Sequence, residues 1–141
     1  MRRIFSGAGV IAAGAALVVG LGSSPAAAAT TSWAGNDSSA SDIVGVHGWG
    51  EVTYDSEWVN IYYNVKDTKA DGHGARLWVR ICNPDRCVYD DTYDRTGSAD
   101  SLYGSDMWGK YRWDVTSIAV QECLTEGTTD YDCAPGWQRV Y

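Results

Sequence analysis

Residues 75–93 run Ala75-Arg-Leu-Trp-Val-Arg-Ile-Cys82-Asn-Pro-Asp-Arg-Cys87-Val-Tyr-Asp-Asp-Thr-Tyr93. Ala75, Leu77, Val79 and Ile81 alternate with Arg76, Trp78, Arg80 and Cys82, the period of two by which a strand buries one side and wets the other. Between Cys82 and Cys87 lie Asn, Pro and Asp, the composition of a tight turn. Beyond it Val88 alternates with Cys87, Tyr89, Asp91 and Tyr93. The stretch predicts a hairpin stapled by Cys82–Cys87, and the staple sets the register. Arg80 opposes Tyr89 and Trp78 opposes Asp91, all on the face of Cys82.

Upstream, Val59, Ile61, Tyr63 and Val65 alternate with Trp58, Asn60, Tyr62 and Asn64, and a loop from Lys66 to Gly74 leads into the hairpin. If that loop also closes a hairpin, Asn64 falls near Arg76, Tyr62 meets Trp78 and Asn60 meets Arg80. The resulting three-stranded sheet has two unlike sides. One is aliphatic (Val59, Ile61, Val65, Leu77, Val79, Ile81, Val88) and marks the core. On the other, rings would stack on apolar sugar faces while amides, carboxylate and guanidinium bond hydroxyls. Trp58, Asn60, Tyr62, Arg76, Trp78, Arg80, Tyr89 and Asp91 are therefore the candidate ligand-binding residues, with carbohydrate or an extracellular protein as partner. The plainer role of the same residues is cross-strand support, at about 0.2–1 kcal/mol per pair, with Arg80 over Trp78 a simple cation–π contact.

The remaining chain repeats the pattern. Val44, Val46, Val52 and Tyr54 share one face, with Gly48 and Gly50 between them, where glycine signals a bulge or a close backbone approach. Further strands are predicted at Trp108–Val115, Ile118–Cys123 and Cys133–Val140, although Ala119, Val120, Cys123 and Leu124 also fit a helical turn. Cys123 and Cys133 flank a polar loop with Gly127, which pairs them as a second local staple; each is worth roughly 2–3 kcal/mol by loop entropy. A four-cysteine zinc site is disfavoured by the missing CxxC spacing. These features predict an all-β fold, an antiparallel β-sandwich of immunoglobulin-like type with about seven strands and two local hairpin disulfides.

Arg2 and Arg3, an apolar stretch from about Ala8 to Leu21 and the run Ala26–Ala29 have the form of a secretory signal, with cleavage expected before Thr30. The stretch is shorter than a membrane span and is interrupted by Gly14 and Gly20. Residues 1–29 are thus read as signal peptide, 30–42 as a flexible leader in which Trp33 could dock, and 43–141 as a single sandwich domain. The expected product is secreted and extracellular, with no membrane attachment after cleavage and four cysteines in an oxidising compartment. The chain holds 11 basic and 18 acidic residues, and losing Arg2 and Arg3 brings the net charge to −9. That balance argues against nucleic acid and anionic membranes as partners.

Catalytic motifs are missing. His47 reads as a strand residue and His73, in Asp71-Gly-His-Gly74, as an exposed turn residue; neither sits in a nucleophile motif. Asp90, Asp91, Asp94, Asp100 and Asp106 lack EF-hand spacing and are read as a solvated acidic loop. No catalytic residue, cofactor or metal site is predicted. The leading expectation is a non-catalytic binding domain. A proteinaceous hydrolase inhibitor presenting Asn83–Arg86, and a structural extracellular or surface component, are the alternatives. The Ala-rich cut site, Ala70-Asp-Gly-His-Gly-Ala75 before Leu77-Trp-Val-Arg80, and the closing Cys123…Cys133 hairpin together resemble small secreted proteins of Streptomyces-type actinobacteria. That resemblance implies export and an all-β fold, and transfers no functional residue.

Overall fold

Alternating residues need a second apolar face to cover their buried side, and here two sheets supply it for each other. The computed structural model describes residues 28–35, 41–96 and 103–141; the predicted signal peptide lies outside them but for its last two residues. The strands are β1 (Ala29–Ala34), β2 (Val46–Tyr54), β3 (Trp58–Asp67), β4 (Gly74–Cys82), β5 (Cys87–Asp94), β6 (Gly104–Tyr111), β7 (Ser117–Glu126), β8 (Thr129–Cys133) and β9 (Gln138–Arg139). Sheet A has the order β1-β2-β3-β6. Sheet B has the order β5-β4-β7-β8, with β9 also on β7. All pairings are antiparallel. After the β4–β5 hairpin the chain returns with β6 beside β3 and β7 beside β4. That is the immunoglobulin-like Greek key, with β1 added at one edge.

The inward faces meet in one core. Val52, Val59, Ile61, Tyr63 and Val65 of sheet A are fully buried against Leu77, Val79 and Ile118 of sheet B. Each such aliphatic side chain contributes about 1.5–3 kcal/mol. The glycines of β2 make room for it. A Cβ on Gly50 would strike the Tyr62 carbonyl and come within 2.8 Å of the Trp33 ring, and one on Gly48 would sit 2.7 Å from Leu77 Cδ1. Close approach, rather than a bulge, is what these two positions provide.

A carboxylate pins the two sheets together. Glu122 faces inward from β7, is 2% exposed, and accepts the Gly48 amide at 2.6 Å and the Ile43 amide at 3.0 Å. Buried charge is tolerated where it is hydrogen-bonded. Tyr63 is fully buried, and desolvation first, then the nearby Asp90 carboxylate, pushes its phenol well above the usual tyrosine range.

Several expectations need correcting. The strongest concerns β3 and β4, which do not pair. They lie in different sheets, because the chain turns across the sandwich at Asp67. Asp67 is buried, donates its amide to Asp94 at 3.1 Å and accepts the Lys69 amide at 2.8 Å. The leader 30–42 is not loose throughout: β1 pairs with β2, and Trp33 packs over Gly50 in the core. Nine strands replace about seven among the described residues. The Trp108–Val115 strand starts earlier, at Gly104, and gives way to a 3₁₀ turn at Arg112–Asp114, while the predicted Cys133–Val140 strand is broken between β8 and β9. Val88 is 39% exposed, since it sits at the turn end of edge strand β5. The acidic stretch is not a loop either. Asp90, Asp91 and Asp94 belong to β5, and Asp94 is buried, accepting the Thr96 hydroxyl at 2.9 Å; Asp100 lies outside the described residues.

Candidate functional site

The period of two in β4 puts Arg76, Trp78 and Arg80 on the outer face of sheet B. The stapled turn places Tyr93, Asp91 and Tyr89 directly opposite them on β5. On the other side of β4, the register sets Cys123 against Arg76, Gln121 against Trp78 and Ala119 against Arg80. The second disulfide, Cys123–Cys133, then carries the chain into Ala134-Pro135-Gly136-Trp137. That segment is tied down twice: Ala134 donates its amide to the Glu122 carbonyl at 2.9 Å, and Gln121 Nε2 donates to the Ala134 carbonyl at 2.6 Å. Its indole is thereby turned back over the face, with the Trp137 and Tyr89 rings edge to face at 6.0 Å.

Trp78, Tyr89, Trp137, Gln121, Asp130 and Cys133 line a hollow of about 280 Å³. Its polar side is held rigidly. Asp130 accepts from Trp78 Nε1 at 2.9 Å and from Arg76 Nη1 at 2.7 Å. Arg76, 9% exposed, also pairs with Asp91 at 3.2 Å and donates to the Thr128 carbonyl at 2.9 Å. Its guanidinium lies over both Trp78 and Tyr93. Arg76 and Asp91 are thus consumed in fixing the site. Arg80 borders the hollow from its rim, its guanidinium carbon 4.6 Å from the centroid of the Trp137 ring.

The candidate residues therefore divide. Arg76, Trp78, Arg80, Tyr89 and Asp91 come together as the hairpin register requires. Trp58, Asn60 and Tyr62 do not join them; they sit on the outer face of sheet A, across the thickness of the sandwich. Tyr62 borders a separate, larger hollow of about 470 Å³ with His47, Trp49, Glu51 and β1. There the aromatic faces are spent on one another: His47 stacks on Trp49 at 5.3 Å, and Trp49 meets Tyr103 at 5.6 Å. Arg80 therefore overlies Trp137 rather than Trp78. The expected Arg80–Trp78 contact is replaced by Arg76 over Trp78.

Sequence reasoning missed Trp137, Gln121 and Asp130. Pro135-Gly136 directly before Trp137 was the available signal, since a Pro-Gly pair turns the chain and breaks the strand assumed there. His73 stacks on Tyr131 at 4.3 Å, with Nδ1 4.0 Å from Glu126. His47 is on the other sheet. No family model, curated protein or solved structure matches the chain.

Proposed function

We propose that this chain is an exported, non-catalytic binding domain that holds carbohydrate on the outer face of sheet B. The carrying observation is convergence: Trp78 from β4, Tyr89 from β5 and Trp137 from the segment after β8 meet at one hollow, beside the Cys123–Cys133 disulfide and the Arg76–Asp91–Asp130 ion-pair cluster. Rings supply the apolar platform for a pyranose, and the Gln121 amide carbonyl and the Arg80 guanidinium supply hydroxyl partners. Rigid support limits the ordering cost of binding. Two local disulfides accord with an oxidising, extracellular location. Among the described residues no helix is long and apolar enough to cross a membrane.

An inhibitor reading has less support. In the Asn83–Arg86 turn, Asn83 accepts the amides of Asp85 and Arg86 at 3.0 and 2.8 Å and donates its own amide to the Arg86 carbonyl. A loop closed on itself this way does not offer extended backbone to a protease cleft.

Tryptophan emission titrated with a panel of soluble neutral and acidic glycans tests the proposal. Binding should shift or quench the emission, Trp137→Ala should abolish the change, and Trp58→Ala should leave it intact. Unchanged spectra across the panel overturn it.

A further inference from the structure

We infer that the sugar recognised on this face carries a carboxylate, as in a uronic acid, and that Arg80 selects it; this deepens the carbohydrate proposal and rests on it. The two arginines that β4 presents on this face have opposite fates. Arg76 has two carboxylates, a backbone carbonyl and two rings. Arg80 has neither a hydrogen bond nor an ion pair among the described residues, and its Nε is buried with no acceptor. A guanidinium without a carboxylate or carbonyl partner is costly to hold against a ring, and an anion that arrives with the ligand supplies one.

The geometry favours a planar anion. The Arg80 guanidinium carbon lies 4.6 Å from the Trp137 ring centroid, which sets the cation beside the ring platform. A guanidinium can offer a carboxylate two parallel hydrogen bonds, a geometry an ammonium cannot match. Tyr89 lies directly opposite Arg80 in the register, so a pyranose on the ring platform would bring an exocyclic carboxylate toward it. The acids of the face do not compete, because Asp91 and Asp130 are engaged by Arg76. The chain as a whole is strongly acidic, at −7, and its long-range field repels polyanions. Selection therefore has to come from local cations, and Arg80 is the one set against the ring platform, with Arg139 beyond it across Ala119 and bonded to the Tyr141 and Thr116 carbonyls.

A matched pair of polymers tests the inference: polygalacturonate and the same polymer with its carboxyl groups reduced to hydroxymethyl, which keeps ring and linkage. Tryptophan emission is titrated with both, using the parent protein, Arg80→Gln, Arg80→Lys and Trp137→Ala, with circular dichroism to confirm folding. The acidic polymer should bind the parent roughly tenfold or more tightly. Arg80→Gln should reduce that affinity to the level of the neutral polymer, and Arg80→Lys should recover only part of it. Equal affinity for the two polymers, abolished in both cases by Trp137→Ala, overturns the carboxylate inference while the carbohydrate proposal stands. Binding of neither polymer, nor of any panel glycan, overturns both.

Discussion

Replacing Glu122 by alanine should unfold much of what holds the two sheets in register. Its carboxylate accepts the amides of Gly48, at 2.6 Å, and Ile43, at 3.0 Å, from inside the sandwich. A hydrogen bond to a charged acceptor is worth about 1.5–3 kcal/mol, and removing the acceptor strands both donors away from water. Two such bonds put the loss for Glu122→Ala at about 3–6 kcal/mol, against a total stability of about 5–15 kcal/mol for a domain of this kind. With a urea dependence of about 1–3 kcal/mol per molar, the unfolding midpoint should fall by more than about 1 M. The backbone bonds of residue 122, to Ser41 and Ala134, survive the change, so the effect isolates the side chain. Glu122→Gln keeps one carbonyl acceptor and should lose about half as much. Urea unfolding followed by tryptophan emission gives the energies, and hydrogen exchange at the Gly48 and Ile43 amides locates them. A Glu122→Ala protein within about 0.5 kcal/mol of the parent, with the Gly48 amide still protected, refutes the reasoning.

Other outcomes follow from the same structure. Cys82→Ser/Cys87→Ser opens the shorter of the two closed loops and should cost about 2 kcal/mol, and Cys123→Ser/Cys133→Ser about 3 kcal/mol; denaturant midpoints of the two double variants check both size and order. Trp33→Ala empties the space above Gly50 and should cost about 3 kcal/mol, with exchange protection lost across β1 before the rest of sheet A. Stability should also fall in alkali. The Tyr63 phenol ionises more easily in the unfolded chain, near pH 10, than in the folded one, where its pKa is raised. Its contribution is therefore complete below about pH 10 and is lost as pH rises above it. The difference between the parent and Tyr63→Phe in melting temperature, followed from pH 8 to 11.5, should open only above about pH 10.

The strands were legible where alternation was strict and a turn fixed the register. In β4–β5, Cys82 faces Cys87, Arg80 faces Tyr89 and Trp78 faces Asp91, as the Asn-Pro-Asp turn required. The partner of β3 was not legible. Alternation states which side of a strand is buried and says nothing of whether the next strand lies beside it or across the core; consecutive strands are neighbours only about two-thirds of the time. Here the deciding contacts are long-range ones, the Asp67 amide on Asp94 and Glu122 on Gly48, which no local pattern encodes. That single crossover divided the expected eight-residue face into five residues on sheet B and three on sheet A. β1 was hidden because its strand pattern has one buried anchor, Trp33, amid exposed Thr and Ser. Trp137 was hidden because its position depends on how Ala134 is tied to Gln121 and Glu122.

Tryptophans on both outer faces and in the core, Trp78, Trp58 and Trp33 among them, make the location of the site directly observable. In a ¹⁵N spectrum of the indole N–H groups, adding a saturating glycan should move the Trp78 and Trp137 resonances and leave Trp49 and Trp58 in place. Movement confined to Trp49 and Trp58 would put binding on sheet A and contradict the central claim.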